Sequence, residues 1–157
     1  MKLLFPTIIH HVKVNNFKFI QDELVNFAYQ EREKDPIGVE KSNKGGWQSS
    51  MDPITESKSK TLKKIIIDSL KYLKPLKLDV CIFVEGWKNI NEPKSFNVKH
   101  HHPRADLSGV LWIKTPDKSG NIVFHSRDEF NRYQILDCYT DEFKYQTSFY
   151  NTYHFSV

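Results

Sequence analysis

The segment Asn97-Val98-Lys99-His100-His101-His102-Pro103 and its continuation Leu107-Ser108-Gly109-Val110-Leu111-Trp112 decide how the chain is read. From Phe96 to His102 the residues suit an extended conformation, in which alternate side chains share a face. His100 and His102 then point one way and His101 the other. A His-x-His pair on a strand can supply two ligands to one ion, because imidazole nitrogen suits zinc, iron, copper or nickel. A solvated polar loop has the same composition, and the residues alone leave both readings open.

Working outward, Leu107 to Thr115 reads as a strand opened by Ser108-Gly109, and Pro116-Asp117-Lys118-Ser119-Gly120 has turn chemistry. Asn121 to His125 follows as a short strand, and Tyr133 to Tyr139 and Phe143 to Val157 read as further strands. Upstream, Leu78 to Asn89 alternates with Val80, Ile82 and Val84 on one face, and Asn91 to Ser95 is a turn. Two helices precede these strands. Phe17 to Arg32 repeats Phe17, Ile20, Leu24, Phe27 and Ala28 at helical spacing after Asn15 or Asn16 as N-cap. Glu56 to Leu73 gathers Leu62, Ile65, Ile66, Ser69, Leu70 and Leu73 on one face before Pro75 ends it. Lys41 to Asp52, with Gly45-Gly46, reads as a loop, and Leu3 to Val14 as a β-like opening run. Helices followed by short strands predict an α+β domain whose helices buttress a β-sandwich or barrel.

A length of 157 residues suits one domain, 1–157, with a single core. The formal charge of +4 is spread too evenly for a nucleic-acid footprint. The lysines of the second helix, Lys60, Lys63, Lys64, Lys71 and Lys74, suit a solvated amphipathic face. Cys81 and Cys138, far apart in apolar surroundings, read as buried thiols in a reducing compartment. No apolar run reaches the length of a membrane span or a signal peptide, so a cytoplasmic protein is expected.

The chain carries further elements in order: Trp87-Lys88-Asn89-Ile90-Asn91, then the histidine segment, then Leu107 to Trp112, then Pro116 and Ser119-Gly120-Asn121-Ile122-Val123-Phe124. Their pattern, Trp-x-Asn-x-Asn, Asn-x-x-His-x-His-Pro, Ser-Gly-Val-aromatic, Pro and Ser-Gly-Asn, resembles a family of 2-oxoglutarate and iron(II) oxygenases of marine bacteria and their phages. Ser42-Asn43-Lys44-Gly45-Gly46-Trp47-Gln48-Ser49 is similar to that family's upstream Gly-Trp-Gln-Ser element. The matching elements run from about Ser42 to Arg127.

The resemblance implies a double-stranded β-helix, or jelly roll, with iron(II) held inside its open end and 2-oxoglutarate as co-substrate. By the family's motif His100 and His102 are metal ligands, with His102 standing where the superfamily usually has a carboxylate. Asp106 could substitute if the chain bends after Pro103. His154 is the late histidine that could be the third ligand, and His125 a weaker candidate. Arg104 and Arg127 are candidates to pair with the distal carboxylate of 2-oxoglutarate, and Asn97 to hydrogen-bond a ligand or an imidazole. Trp47, Trp87 and Trp112 are expected in the core rather than as substrate platforms. Ser108 and Gly109 suit either a strand passing close to the site or a bulge.

Tyr150 to Val157 looks like the family's strand before a Gly-Asp turn, after which its distal His and Arg would follow. The expectation is a fragment of a longer protein or a shortened homologue whose open edge is covered by a partner copy or by the N-terminal strand. The activity implied is a hydroxylase-type oxidation of an unidentified small molecule or protein, with no membrane or nucleic-acid partner. Two alternatives stand beside it: an inactive jelly-roll homologue kept for binding or structure, and a cupin-like metalloprotein that uses no 2-oxo acid.

Overall fold

The computed structural model describes residues 8–73 and 84–125 together with the backbone of 152–156. The chain groups into two compact units, one of residues 11–114 and one of residues 1–10 with 115–157.

In the larger unit, helix α1 spans Phe17–Lys34, two residues beyond the end that periodicity predicts. Asn16 opens it in the left-handed conformation, φ 54°, and makes no side-chain cap; its carbonyl instead accepts from Phe19 N at 3.0 Å. Arg32 and Lys34 in the last turn complement the negative end of the helix dipole. Leu24, 1% exposed, and Ala28 are the buried positions of its apolar face.

The second helix is shorter than its apolar pattern. A 3-10 turn, Ile54–Glu56, comes first, and α2 runs only over Lys60–Leu70. Ser59 resets the start because its hydroxyl accepts from Leu62 N at 3.1 Å. Ile65 is the buried residue of α2, and the two helices touch.

The segment read as a loop, Lys41 to Asp52, is instead one side of a long irregular antiparallel ribbon. Strands β1 (Asn43–Lys44), β2 (Trp47–Gln48) and β3 (Asp52–Pro53) pair with β6 (Phe96–Asn97), β5 (Asn89–Ile90) and β4 (Glu85–Gly86) respectively. The registers are Asn43↔Asn97, Trp47↔Ile90 and Asp52↔Gly86. Turn residues hide these strands from a local reading because each ladder draws its partner from the other end of the unit. Between the first two ladders, Gly45-Gly46 faces the turn Asn91 to Ser95. A Cβ on Gly46 would stand 2.4 Å from Asn91 Oδ1 and 3.1 Å from Ile90 O, so any larger residue must displace the Asn91 side chain and crowd the facing backbone.

Side chains of α1 clamp this ribbon. Arg32 pairs with Glu92 at 2.8 Å, and Lys88 lies 5.4 Å over the Phe27 ring. Trp47, 5% exposed, donates its indole N–H to Asp35 O at 2.8 Å. Leu107 to Thr115 forms no strand: no ladder reaches it among the described residues, and Gln21 Nε2 donates to Ile113 O at 2.7 Å. Residues 8–14 are likewise irregular.

In the smaller unit, β7 (Asn121–His125) pairs antiparallel with β8 (Thr152–Ser156) in the register Val123↔His154. The turn before β7 forms as expected, with Ser119 N bonded to Pro116 O at 3.1 Å. The described architecture is therefore mixed: two helices and small antiparallel sheets. Cys81, Cys138 and the expected strand Tyr133 to Tyr139 lie outside the described residues. Among the described residues no helix is long and apolar enough to cross a membrane.

Candidate metal centre

The histidine segment leaves the ribbon at its β6 end. Val98 N still bonds to Ser42 O at 2.9 Å, and Asn97 Nδ2 donates to Ser42 Oγ at 3.0 Å. Asn97 thus ties the histidine segment to the Gly-Trp-Gln-Ser element rather than reaching an imidazole. Beyond Val98 the chain is irregular, so the expected extension to His102 ends at Asn97.

His100 and His102 nevertheless lie side by side, with ring centroids 4.9 Å apart and ring planes at 86°. Two imidazoles sharing one ion through metal–nitrogen bonds of ~2.1 Å at ~90–110° place their centroids roughly 4.6–5.3 Å apart. The separation fits that range. His100 Nδ1 lies 2.7 Å from Val98 O. A carbonyl can only accept, so Nδ1 donates to it and Nε2 is the ring nitrogen left outside that bond. For His102, partial burial first and then the imidazoles of His100 and His101 push the pKa down, favouring the neutral ring that a metal needs. All three histidines are exposed.

Trp87, expected in the core, is only half-buried and stands against His102, with centroids 5.5 Å apart and planes tilted by 41°. Sequence reading missed this contact. Its signal was the resemblance itself, which places a Trp in the same ordered set of elements as the histidines.

The two rings thus have a spacing that one shared ion would allow, and among the described residues no third ligand joins them. The chain does bend after Pro103, where Arg104 has φ 74° and Ala105 N reaches His102 O at 3.4 Å. Asp106 still does not complete a set, since among the described residues no three His, Cys, Asp or Glu side chains gather to hold an ion. His125 is an exposed residue of β7 and His154 a backbone position of β8. Arg104 is exposed on the turn, and Arg127 lies outside the described residues. A Cβ on Gly109 would meet nothing within 4 Å, so no close backbone passage requires that glycine.

The Gly-Trp-Gln-Ser element contributes buried polar groups rather than ligands. Asn43 Oδ1 accepts from Lys41 N at 2.8 Å, while its Nδ2 donates to Val39 O and Gly46 O at 3.2 and 2.9 Å. Ser49 receives Lys88 N on its hydroxyl at 3.0 Å and donates its own N–H to Lys88 O at 3.0 Å. These bonds pin β1 and the Lys88 segment, next to Trp87, into the ribbon.

Residues 85–154 match the family described as "Putative 2OG-Fe(II) oxygenase". That stretch begins at β4, contains Trp87 and the three histidines, and ends within β8. The Gly-Trp-Gln-Ser element lies outside it in sequence but is its ladder partner in space. No curated protein and no solved structure matches the chain.

Proposed function

We propose that the chain is a 2-oxoglutarate and iron(II) oxygenase that oxidises a still unidentified substrate, with His100 and His102 as two of its metal ligands. The observation that carries this reading is the edge-on imidazole pair, 4.9 Å between centroids, inside the stretch that matches the oxygenase family. When bound, iron and 2-oxoglutarate would supply the oxidation, with dioxygen and the 2-oxo acid converted to succinate and carbon dioxide as one oxygen atom passes to the substrate.

The chain's own residues would do three things. His100, its tautomer set by Val98 O, would present Nε2; His102 would present a second neutral nitrogen. Because neither brings negative charge, the ion would keep more of its own than it does beside a carboxylate, which strengthens its hold on an anionic 2-oxo acid. Arg104, on the turn that follows, would supply a guanidinium for the acid's far carboxylate.

Anaerobic titration with iron(II) should give one bound ion per chain, and His100→Ala and His102→Ala should each abolish it. Addition of 2-oxoglutarate and air should then yield succinate. A wild-type chain that binds no iron(II) overturns the proposal. The exposure of all three histidines, with no set of three ligating side chains gathered among the described residues, favours a second reading: a metal-binding jelly-roll homologue without turnover. Iron binding with no consumption of 2-oxoglutarate would select it.

A further inference from the structure

The two imidazoles are aimed by different devices. His100 is oriented by its own hydrogen bond to Val98 O. Among the described residues the His102 ring makes no bond of that kind, and it sits on irregular backbone, where its carbonyl receives the long contact from Ala105 N at 3.4 Å. What stands against its ring, apart from His100, is the Trp87 indole at 5.5 Å, within the 4.5–7 Å over which aromatic rings attract.

Trp87 is itself held firmly. Gly86 before it pairs with Asp52, and Lys88 after it exchanges hydrogen bonds with Ser49 through both its N–H and its carbonyl. A residue pinned on both sides can serve as a wall, whereas His102 can turn about χ1 and χ2 unless something stops it. Trp87 is half-buried and, among the described residues, is not part of the buried core of Leu24, Ala28, Trp47 and Ile65.

We propose that Trp87 is a positioning residue, whose indole face holds the His102 imidazole in the orientation at which it converges with His100 on a divalent transition metal. The proposal rests on the metal-binding reading above. Replacing the indole with an aliphatic side chain leaves both ligands present but lets one ring swing. Outer partners of metal ligands typically change affinity by about 10–100-fold when lost. Phenylalanine keeps an aromatic face and should keep most of the effect.

Nickel(II) alone is the probe, since it suits imidazole and is stable in air. Calorimetry gives its Kd, and indole emission reports its distance from Trp87. Trp87→Leu should bind about 10-fold more weakly than wild type, while Trp87→Phe should stay within about threefold, as an aromatic pair that survives the change predicts. Nickel should quench wild-type emission, and most of that quench should be absent in Trp87→Phe, where Trp47 and Trp112 remain. A folded Trp87→Leu with unchanged Kd overturns the proposal and leaves the metal site standing. A quench as large in Trp87→Phe as in wild type does the same, and it needs no folded leucine variant. Binding that survives in His100→Ala and His102→Ala instead overturns the metal reading itself.

Discussion

Replacement of Gly38 by alanine should cost far more than any loop substitution of that size. Gly38 has φ 62°, and a Cβ there would stand 2.3 Å from Gln48 O and 2.7 Å from the Trp47 indole nitrogen. The left-handed conformation alone costs an L-residue ~1–2 kcal/mol. Relieving both contacts means moving Gln48 O away, which stretches the 2.9 Å bond from Val39 N, and moving the indole, which stretches its 2.8 Å bond to Asp35 O. Each such bond contributes ~1 kcal/mol, so the total is roughly 3–4 kcal/mol. For a chain of this size that lowers Tm by roughly 6–16 °C. Two glycines of the same unit separate the causes. Gly45 has φ 76°, but its nearest neighbour would be the movable Ser95 Oγ at 3.2 Å, so Gly45→Ala should show little beyond the conformational part. Gly109, with open space around it, should lose nothing and can gain up to ~1 kcal/mol from a stiffer unfolded chain. Urea unfolding followed by circular dichroism measures all three. If Gly38→Ala is no more destabilising than Gly45→Ala, the contact with β2 contributes nothing and the packing argument fails.

Asn43→Ala should cost ~2–4 kcal/mol in the same assay, because the buried amide leaves one donor and two acceptors unpaired. Asn43→Asp should be worse at pH 7 than at pH 4, since a carboxylate cannot donate to Val39 O and Gly46 O and its charge is disfavoured there. Ser59→Ala should cost ~1 kcal/mol through loss of the α2 cap, and Ser59→Asp should restore most of it; equal helicity of the two variants would show that the cap does not set where α2 begins. Asp68 is pushed down to about 2 by hydrogen bonds from Lys64 and then Lys71. Its small contribution to α2 should be complete above the ordinary carboxylate range and be lost as pH falls through about 2, so Asp68→Asn should differ from wild type at neutral pH in low salt and not at pH 1.5 or in 1 M salt.

Local chemistry made the helices and the turns legible. α1 begins at the predicted residue, and the Pro116 to Gly120 turn forms because each is decided by neighbours in the chain. The start of α2 was misplaced because nothing between Glu56 and Ser59 forbids a helix by period, while the cap, a single hydroxyl on Ser59, fixes the first turn at Lys60. The ribbon was not legible: two-residue ladders carry too few side chains for a period, and Gly45-Gly46 speaks for a turn even though Asn43 and Trp47 on either side are paired. At the site, the juxtaposition of His100 and His102 was legible from their spacing. It arises on irregular chain, with Val98 O and Trp87 doing what a strand was expected to do. Of the two readings of Ser108 and Gly109, close passage of the chain is not what the glycine serves, since a Cβ on Gly109 would meet nothing within 4 Å.

One hydrogen bond, from Ile54 N to Val84 O at 2.8 Å, closes the far end of the ribbon immediately beyond the Pro53↔Glu85 pair. Everything between those two residues, α2 included, departs from and returns to a single point. Lengthening a flexible connection whose ends are already joined costs only ~0.6 kcal/mol per doubling. The histidine end of the ribbon is therefore insulated from changes of length in that excursion outside α2, which touches α1: relatives could carry extra segments there without disturbing how Ser42 meets Asn97.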